Sequence, residues 1–307
     1  MDLTQLRASL ARGEKAALAA ALAGIERDPD STATAGLLDA AYSDPIARVI
    51  GLTGPPGVGK STLTGALISS FRQADKTVGC IAVDPSSRRS GGALLGDRTR
   101  LATDPEDAGC FVRSMAARDR LGGLAGLTVA AMVLMRAVYD IVLIETVGVG
   151  QSETDIAGTA DTIVFCVQPG SGDSLQFMKA GIVEIPDIVV VTKSDLGSAA
   201  QRARADVKGA LSLAEAARGD WIIPVLSLSV QQRQGVADLI EALDQHAVWL
   251  TATGRLATQR HAQAETWLTE SVRERFGREG IRRAGPLALP PGAPPFGQLR
   301  AVSQRLL

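Results

Sequence analysis

Short apolar runs alternate with helical segments through the middle of the chain. The runs are rich in Val and Ile and almost free of polar residues, as strands buried on both faces of a parallel sheet must be. They cover 48–53, 78–83, 140–145, 161–167, 187–192 and 222–228. Between them, Leu and Ala recur at helical spacing over 60–73, 122–137, 172–184, 198–218 and 235–248. This alternation predicts an α/β fold with a mostly parallel sheet flanked by helices.

The two ends of the chain carry helical patterns only. Apolar residues recur at helical spacing over 3–28 and 33–42, and again over 256–277, before a segment rich in Pro and Gly at 285–297. We therefore predict three parts. They are a helical N-terminal extension over 1–46, an α/β domain over 47–250 and a helical C-terminal extension over 251–307.

Composition and charge exclude several classes of protein. The 32 basic and 33 acidic residues balance, so no net field favours nucleic acid or a membrane surface as a partner. The three cysteines and two histidines stand far apart, which excludes a disulfide framework and a zinc cluster of recognisable spacing. The longest apolar stretch, 124–144, is interrupted by Arg136 and Asp140, so we expect no membrane-spanning segment. The N-terminus lacks the pattern of a secretory signal, and we expect a cytoplasmic location.

A glycine-rich loop follows the first predicted strand. Residues 54–61 read GPPGVGKS, which matches G-x-x-x-x-G-K-[ST] between a strand and a helix, the context of a P-loop. Chance alone would give this match in about one chain in a hundred of this composition. The backbone N–H groups would surround phosphates, Lys60 would reach the β- and γ-phosphates, and the Ser61 hydroxyl would ligate Mg²⁺. The predicted nucleotide-binding residues here are Gly54, Pro55, Pro56, Gly57, Val58, Gly59, Lys60, Ser61 and Thr62. The fold class is thus that of a P-loop NTPase.

An acidic residue ends the strand predicted at 140–145. Glu145 closes an apolar run, and Gly148 follows three residues later. In P-loop NTPases an acidic residue at the end of a strand helps to hold Mg²⁺, and a glycine at this spacing detects the γ-phosphate through its N–H. Both residues are candidates for catalysis, although Glu145 is one methylene longer than the usual Asp. The alternative is a strand-end glutamate that faces solvent.

The base of the nucleotide is predicted to be guanine. Thr192, Lys193 and Asp195 end a strand and resemble the guanine motif N-K-x-D. The Asp195 carboxylate could accept from both the N1–H and the amino group of guanine, and the Lys193 stem could stack on the purine. Because Thr192 stands where Asn is usual, we expect a weaker side-chain brace to the P-loop. Ser229 and Val230 follow the last predicted strand, in a loop that would contact the guanine carbonyl.

Several further segments carry a more specific signature. They are LARGEKAAL at 10–18, VDPSS at 83–87 with GG at 91–92, LGDRTR at 95–100, ETVGVGQSE at 145–153 and PGSGD at 169–173. Together they resemble the MeaB/ArgK-type GTPases, the family of the methylmalonic aciduria type A protein. The resemblance covers residues 5–250 well and the tail more loosely, and 145–153 is its most specific segment.

The resemblance implies a metallochaperone-type GTPase and a protein partner. Such proteins bind an adenosylcobalamin-dependent acyl-CoA mutase, such as methylmalonyl-CoA mutase or a close relative, gate delivery of its cofactor and protect it. The resemblance further implies a homodimer, with the C-terminal extension as a dimerisation arm, and adds an adenosyltransferase to the candidate partners. The ligands are GTP, GDP and Mg²⁺.

The resemblance also extends the set of site residues. It implies magnesium contacts from Ser61, Asp84, Asp97 and Glu145. It places Asp173 and Lys179 in a mobile loop through which the mutase would stimulate hydrolysis. The resulting candidate catalytic residues are Lys60, Glu145, Gly148, Asp173 and Lys179.

Three other functions remain open from the sequence. A P-loop kinase using ATP would prefer adenine, which Lys193 and Asp195 disfavour. A nickel insertase on a similar fold would need a cluster of metal-storing His or Cys residues, and two lone histidines do not supply one. A binding module that has lost hydrolysis would keep the P-loop and show no turnover.

Overall fold

The centre of the molecule is a seven-stranded parallel sheet. The computed structural model describes residues 1–84, 103–116, 126–146, 156–170, 185–212 and 220–307. In this part of the chain the strands are β1 Arg48–Thr53, β2 Val78–Asp84, β3 Cys110–Ala116, β4 Ile141–Glu145, β5 Thr162–Val167, β6 Ile188–Val191 and β7 Val225–Ser227. Their order is β3-β2-β4-β1-β5-β6-β7, and every neighbouring pair is parallel. The predicted α/β class is confirmed.

Helices flank the sheet and extend beyond it at both ends of the chain. Within the described residues they are α1 Leu3–Ala11, α2 Lys15–Arg27, α3 Thr32–Ser43, α4 Lys60–Gln73, α5 Gly126–Arg136, α6 Ser198–Ser212, α7 Val236–Ala252, α8 Arg255–Ala284 and α9 Phe296–Leu306. Helix α8 is bent at Gly277, where the backbone leaves helical geometry. None of the described helices combines the length and apolar character needed to cross a bilayer.

Four elements differ from the sequence prediction, each for a local reason. The helix predicted over 3–28 is divided into α1 and α2 at Gly13, which adopts a φ of 81°. Strand β3 was not predicted, because Arg113 and Ser114 interrupt its apolar pattern at the edge of the sheet. The last predicted strand shortens to β7 after Pro224. Helix α9 follows the Pro- and Gly-rich segment and was not predicted either.

Successive residues of the central strands pack into hydrophobic layers on opposite sides of the sheet. Val49 and Ile144 face the layer that includes α2, α3 and α5. Ile50 and Leu143 face the opposite layer, which includes α4 and α7. All four side chains are buried, so the strands are apolar on both faces and the sheet is covered on both sides. This arrangement leaves the carboxyl-terminal edge of the sheet as the place for polar site residues.

The start of α8 is bound to the segment that leads into β5. Gln259 and Gln263 together donate four hydrogen bonds of 2.8–3.3 Å to backbone carbonyls in that segment. Arg260 forms a two-pronged ion pair with Asp161, at 2.8 and 2.7 Å. Asp161 also accepts from the Val49 N–H at 2.7 Å, so the ion pair connects α8 to β1. The assignment of residues 251–307 to a separate dimerisation arm stays a prediction.

A buried histidine predicts how stability depends on pH. His246 packs against Trp221 and Trp249, whose rings also contact each other, and its Nδ1 lies 2.8 Å from the Thr162 hydroxyl. Its Nε2 lies 3.6 Å from the Asp187 carboxylate. Burial lowers the pKa of His246 to about 4, and the negative charge of Asp161 offsets this only in part. As the pH falls below about 6.5, the His246 imidazole therefore binds a proton in the unfolded chain but not in the folded one. The free energy of unfolding consequently falls by roughly 1.4 kcal/mol per pH unit until about pH 4.

The measurement is a comparison of chemical unfolding at pH 7 and pH 5. Between pH 7 and pH 5, we expect the free energy of unfolding to fall by about 2 kcal/mol more in the wild type than in a His246→Gln protein. His261→Gln changes the other, more exposed histidine and serves as the control, because it should keep the wild-type loss. An equal loss in the wild type and in His246→Gln would contradict the prediction.

Candidate functional site

The loop between β1 and α4 has the backbone geometry that phosphate binding requires. Gly54 has a φ of 134°, and a Cβ on it would lie 2.2 Å from the Cys166 carbonyl oxygen. Gly59 adopts a φ of 101° and immediately precedes α4. Only glycine fits such positions without strain. The loop therefore passes close to β5 and directs the N-terminus of α4 towards the space where phosphates would bind.

Lys60 lies inside this loop. Its side chain is buried, and its Nζ donates to the carbonyl oxygens of Gly54 and Pro55 at 2.7 and 3.0 Å. An ammonium held by loop carbonyls is positioned to contact anionic oxygens that enter the same loop. The role of Lys60 at the β- and γ-phosphates stays a prediction.

Ser61 and Glu145 meet at the carboxyl-terminal edge of the sheet. Ser61 follows the loop at the start of α4, and Glu145 is the last residue of β4, which pairs with both β1 and β2. The Ser61 hydroxyl donates to Glu145 Oε1 at 2.5 Å, and the Glu145 side chain is buried. Hydroxyl and carboxylate oxygens are the protein ligands that Mg²⁺ prefers. The buried position of Glu145 argues against the solvent-facing alternative.

A cavity of about 160 Å³ brings together three loops that are distant in sequence. Val58, Gly59 and Thr62 line one side, and the loop after β6 lines another with Thr192, Lys193 and Asp195. Ser229 and Val230 complete the wall. All eight were predicted as nucleotide-binding residues. They come together because β1, β5, β6 and β7 are consecutive in the sheet and their carboxyl ends share one edge.

The brace between the cavity and the P-loop is present despite the replacement of Asn. The Thr192 hydroxyl lies 2.7 Å from the Val58 carbonyl oxygen and 3.0 Å from that of Val167. Lys193 adopts a left-handed backbone with φ of 52°, and its Nζ donates to the Gly57 carbonyl at 3.0 Å. Two side chains thus tie the base-binding loop to the phosphate loop. Asp195 is exposed and has its carboxylate available for a base.

Some predicted site residues fall where the structure gives no side-chain position. Asp84 is the last residue of β2, and its side chain lies outside the described part of the chain. Gly148, Asp97, Asp173 and Lys179 lie outside the described residues. Their roles stay predictions.

Four further residues belong to the site and were missed from the sequence. Leu196, Leu228 and Gln231 line the cavity, and Leu196 is exposed beside Asp195. Gln168 follows β5 and accepts a hydrogen bond from Lys193 Nζ at 2.6 Å. The position of Leu196 next to Asp195 was the one signal that could have pointed to it. Neither Gln168 nor Gln231 belongs to a motif.

The described residues do not show a multi-ligand metal cluster. No group of three or more His, Cys, Asp or Glu side chains among them is placed to hold a metal ion. All three cysteines are free and buried, and burial raises the pKa of the Cys166 thiol to about 12. The nickel-insertase alternative therefore gains no support from this part of the chain.

A comparison of the sequence with models of known protein families shows to which family the chain belongs. The sequence model described as "Methylmalonyl Co-A mutase-associated GTPase MeaB" matches residues 18–282. The chain belongs to the MeaB family of GTPases. As a MeaB-family protein it hydrolyses GTP, and its nucleotides are GTP and GDP.

Individual relatives agree with the MeaB assignment. A "Putative GTPase" of Caulobacter vibrioides is 39% identical over 281 residues, which are 90% of this chain and 86% of the relative. The mouse "Methylmalonic aciduria type A homolog, mitochondrial" is 37% identical over 233 residues, 75% of this chain and 56% of that protein. A solved structure titled "LAO/AO transport system kinase" has a TM-score of 0.69 at 29% identity, covering 99% of this chain and 93% of the other.

Proposed function

We propose that this MeaB-family GTPase binds GTP as its magnesium complex and couples hydrolysis to an adenosylcobalamin-dependent acyl-CoA mutase. One observation supports the nucleotide part of this proposal. The P-loop, with Lys60, Ser61 and Glu145, lies next to a cavity that Asp195 lines and that would hold the base. The mutase part is supported by the family description and by the mouse relative's name. Methylmalonyl-CoA mutase or a close relative is the proposed partner.

Hydrolysis in this proposal depends on positioning and charge neutralisation. The N–H groups of the loop and the α4 N-terminus hold the phosphates in place, and Lys60 balances charge on the β- and γ-phosphate oxygens. Ser61 and Glu145 would hold Mg²⁺, which neutralises phosphate charge when it is bound. The buried Glu145 carboxylate fixes the Ser61 hydroxyl at the phosphate end of the loop. No covalent intermediate with the protein is required.

A Glu145→Gln protein tests the magnesium assignment. Loss of one carboxylate charge should raise the Mg²⁺ concentration for half-maximal GTP hydrolysis by about tenfold or more and lower turnover. GDP should still bind, because the loop and the base cavity are unchanged. Phosphate release is measured across a Mg²⁺ titration, with Glu241→Gln, an exposed change on α7, as the control. An unchanged Mg²⁺ dependence would remove Glu145 from the metal site.

The mutase would act on the nucleotide site through the loop that the resemblance identifies. Asp173 and Lys179 are the proposed residues of that loop, and Lys179 would bring positive charge towards the γ-phosphate when the mutase binds. A homodimer built on the C-terminal helices, an adenosyltransferase as a further partner, and a cytoplasmic location complete the proposal.

The test is GTP hydrolysis with and without purified methylmalonyl-CoA mutase. We expect the mutase to accelerate phosphate release by the wild type and by Lys208→Ala, an exposed control on α6. Lys179→Ala should lose most of this acceleration. If mutase leaves the wild-type rate unchanged, this partner is wrong, while the GTPase assignment stands. If Lys179→Ala is accelerated as strongly as the wild type, Lys179 has no part in the coupling.

A further inference from the structure

Gln168 connects the end of β5 to the loop that follows β6. It is the first residue after β5, and the carbonyl of Val167, the last residue of that strand, accepts from the Thr192 N–H at 2.8 Å. The backbone beside Gln168 is therefore fixed to the sheet. From this position its Oε1 accepts a hydrogen bond of 2.6 Å from Lys193 Nζ, 25 residues away along the chain.

The tip of the Lys193 side chain is held by two neutral oxygens. Its Nζ donates to Gln168 Oε1 and, at 3.0 Å, to the Gly57 carbonyl of the P-loop. Lys193 is exposed, and an exposed lysine is otherwise among the most mobile side chains, because its four-carbon stem has many rotamers. The two hydrogen bonds therefore restrict the stem to a narrow set of conformations.

The backbone end of Lys193 is fixed as well. Its carbonyl accepts from the Leu196 N–H at 3.0 Å, and the N–H of the next residue, Ser194, donates to the Leu228 carbonyl at 3.0 Å. With both ends held, the stem is a defined part of the wall of the cavity of about 160 Å³ that Lys193 and Asp195 line together.

We propose that Gln168 is a positioning residue for the nucleotide base. It holds Lys193 Nζ, so that the Lys193 stem is ordered before the base arrives. Contact between this stem and the face of a purine does not depend on the groups at the edge of the ring. Gln168 therefore contributes to affinity, whereas Asp195 determines which base binds. The inference rests on the proposed base cavity and assigns two separate tasks within it.

Preorganisation of the stem predicts the size of the effect and the kinetic constant in which it appears. When the nucleotide itself must order the stem, binding weakens by about 3- to 10-fold, the cost of immobilising one flexible side chain. The loss is the same in the ground state and in the transition state, because the base does not react. KM for GTP therefore rises, and kcat stays near its wild-type value.

The test compares Gln168→Met with Gln168→Glu in the full chain. Met has nearly the length of Gln but no strong acceptor, whereas Glu keeps an acceptor oxygen at the same distance from the backbone. The measured quantities are KM and kcat for GTP and the Kd values of GDP and of inosine diphosphate, which lacks the guanine amino group. Gln168→Met should raise both Kd values by about 3- to 10-fold and leave their ratio unchanged. Gln168→Glu should restore GDP binding to near the wild-type level. Gln298→Met, an exposed change on α9, is the control.

Asp195→Ala distinguishes a failure of this inference from a failure of the base-cavity proposal. It should bring the Kd values of GDP and inosine diphosphate closer together. If the wild type binds both equally and Asp195→Ala has no effect, the base cavity is misassigned and the inference falls with it. If Asp195→Ala behaves as expected, three results would each overturn the inference alone. They are wild-type GDP binding by Gln168→Met, a changed Kd ratio in Gln168→Met, and binding by Gln168→Glu as weak as by Gln168→Met. A fall in kcat at unchanged KM in Gln168→Met would also overturn it.

Discussion

GDP is expected to bind this GTPase about 30 to 1,000 times more tightly than ADP. Asp195 lines the base cavity and is exposed, so its carboxylate can accept from both the N1–H and the amino group of guanine. Adenine offers no such pair, and losing a charge-assisted pair of hydrogen bonds costs about 2–4 kcal/mol. Isothermal titration calorimetry with both nucleotides, in the same magnesium buffer, measures the ratio.

Variants at Asp195 separate base recognition from folding. Asp195→Ala should remove most of the preference without changing Tm, and Asp206→Ala, an exposed aspartate on α6, should leave both unchanged. Asp195→Asn replaces one acceptor by a donor and should shift preference towards xanthine nucleotides. Equal affinity of the wild type for GDP and ADP would contradict the assignment and favour the ATP-dependent kinase alternative.

Lys60→Ala is expected to reduce GTP turnover by about 100- to 1,000-fold, the effect of losing one preorganised charge on a reacting group. The lysine stays within the loop through its hydrogen bonds to Gly54 and Pro55. Those two bonds contribute little net stability, so Tm without nucleotide should change by about 4 °C or less. Steady-state phosphate release and a melting curve give the two quantities.

Two further variants sharpen the interpretation of Lys60. Lys60→Arg keeps the charge but replaces a compact ammonium with a planar fork, and we expect turnover to stay low. Lys208→Ala removes an exposed lysine and should hydrolyse GTP as the wild type does. If the Tm of Lys60→Ala without nucleotide falls far more than expected, the main role of Lys60 is structural.

The central strands and the P-loop were readable from sequence because their signals are local. Strand β1 is a continuous apolar run, and the glycines, lysine and serine that follow it stand at the fixed spacing of a phosphate-binding loop. Strand β3 was not readable, since an edge strand tolerates Arg113 and Ser114 and loses its apolar pattern. The turn at Gly13 was hidden within an uninterrupted helical spacing on both sides.

The site was only partly readable, because its contacts join distant positions. Motifs identify Lys193 and Asp195 and lead to the expectation of a brace from Thr192 to the P-loop, but no local pattern reveals that Gln168 would accept from Lys193. The same holds for Arg136, which interrupted an apolar run in the sequence and proved to be a buried cation. Long-range polar contacts depend on the assembled sheet, and the sequence carries no short-range trace of them.

The attachment of α8 to the segment before β5 links the orientation of this helix to the position of that segment. Four hydrogen bonds from Gln259 and Gln263 fix its first turns to the backbone that enters the sheet at β5. From its start at Arg255 to the bend at Gly277, the helix extends for about 33 Å. A tilt of about 5° at the attached end displaces the far end by about 3 Å. A rotation of the segment that enters β5 would therefore move the distal part of the helix, where Arg275 pairs with Asp30, further than it moves the attached end.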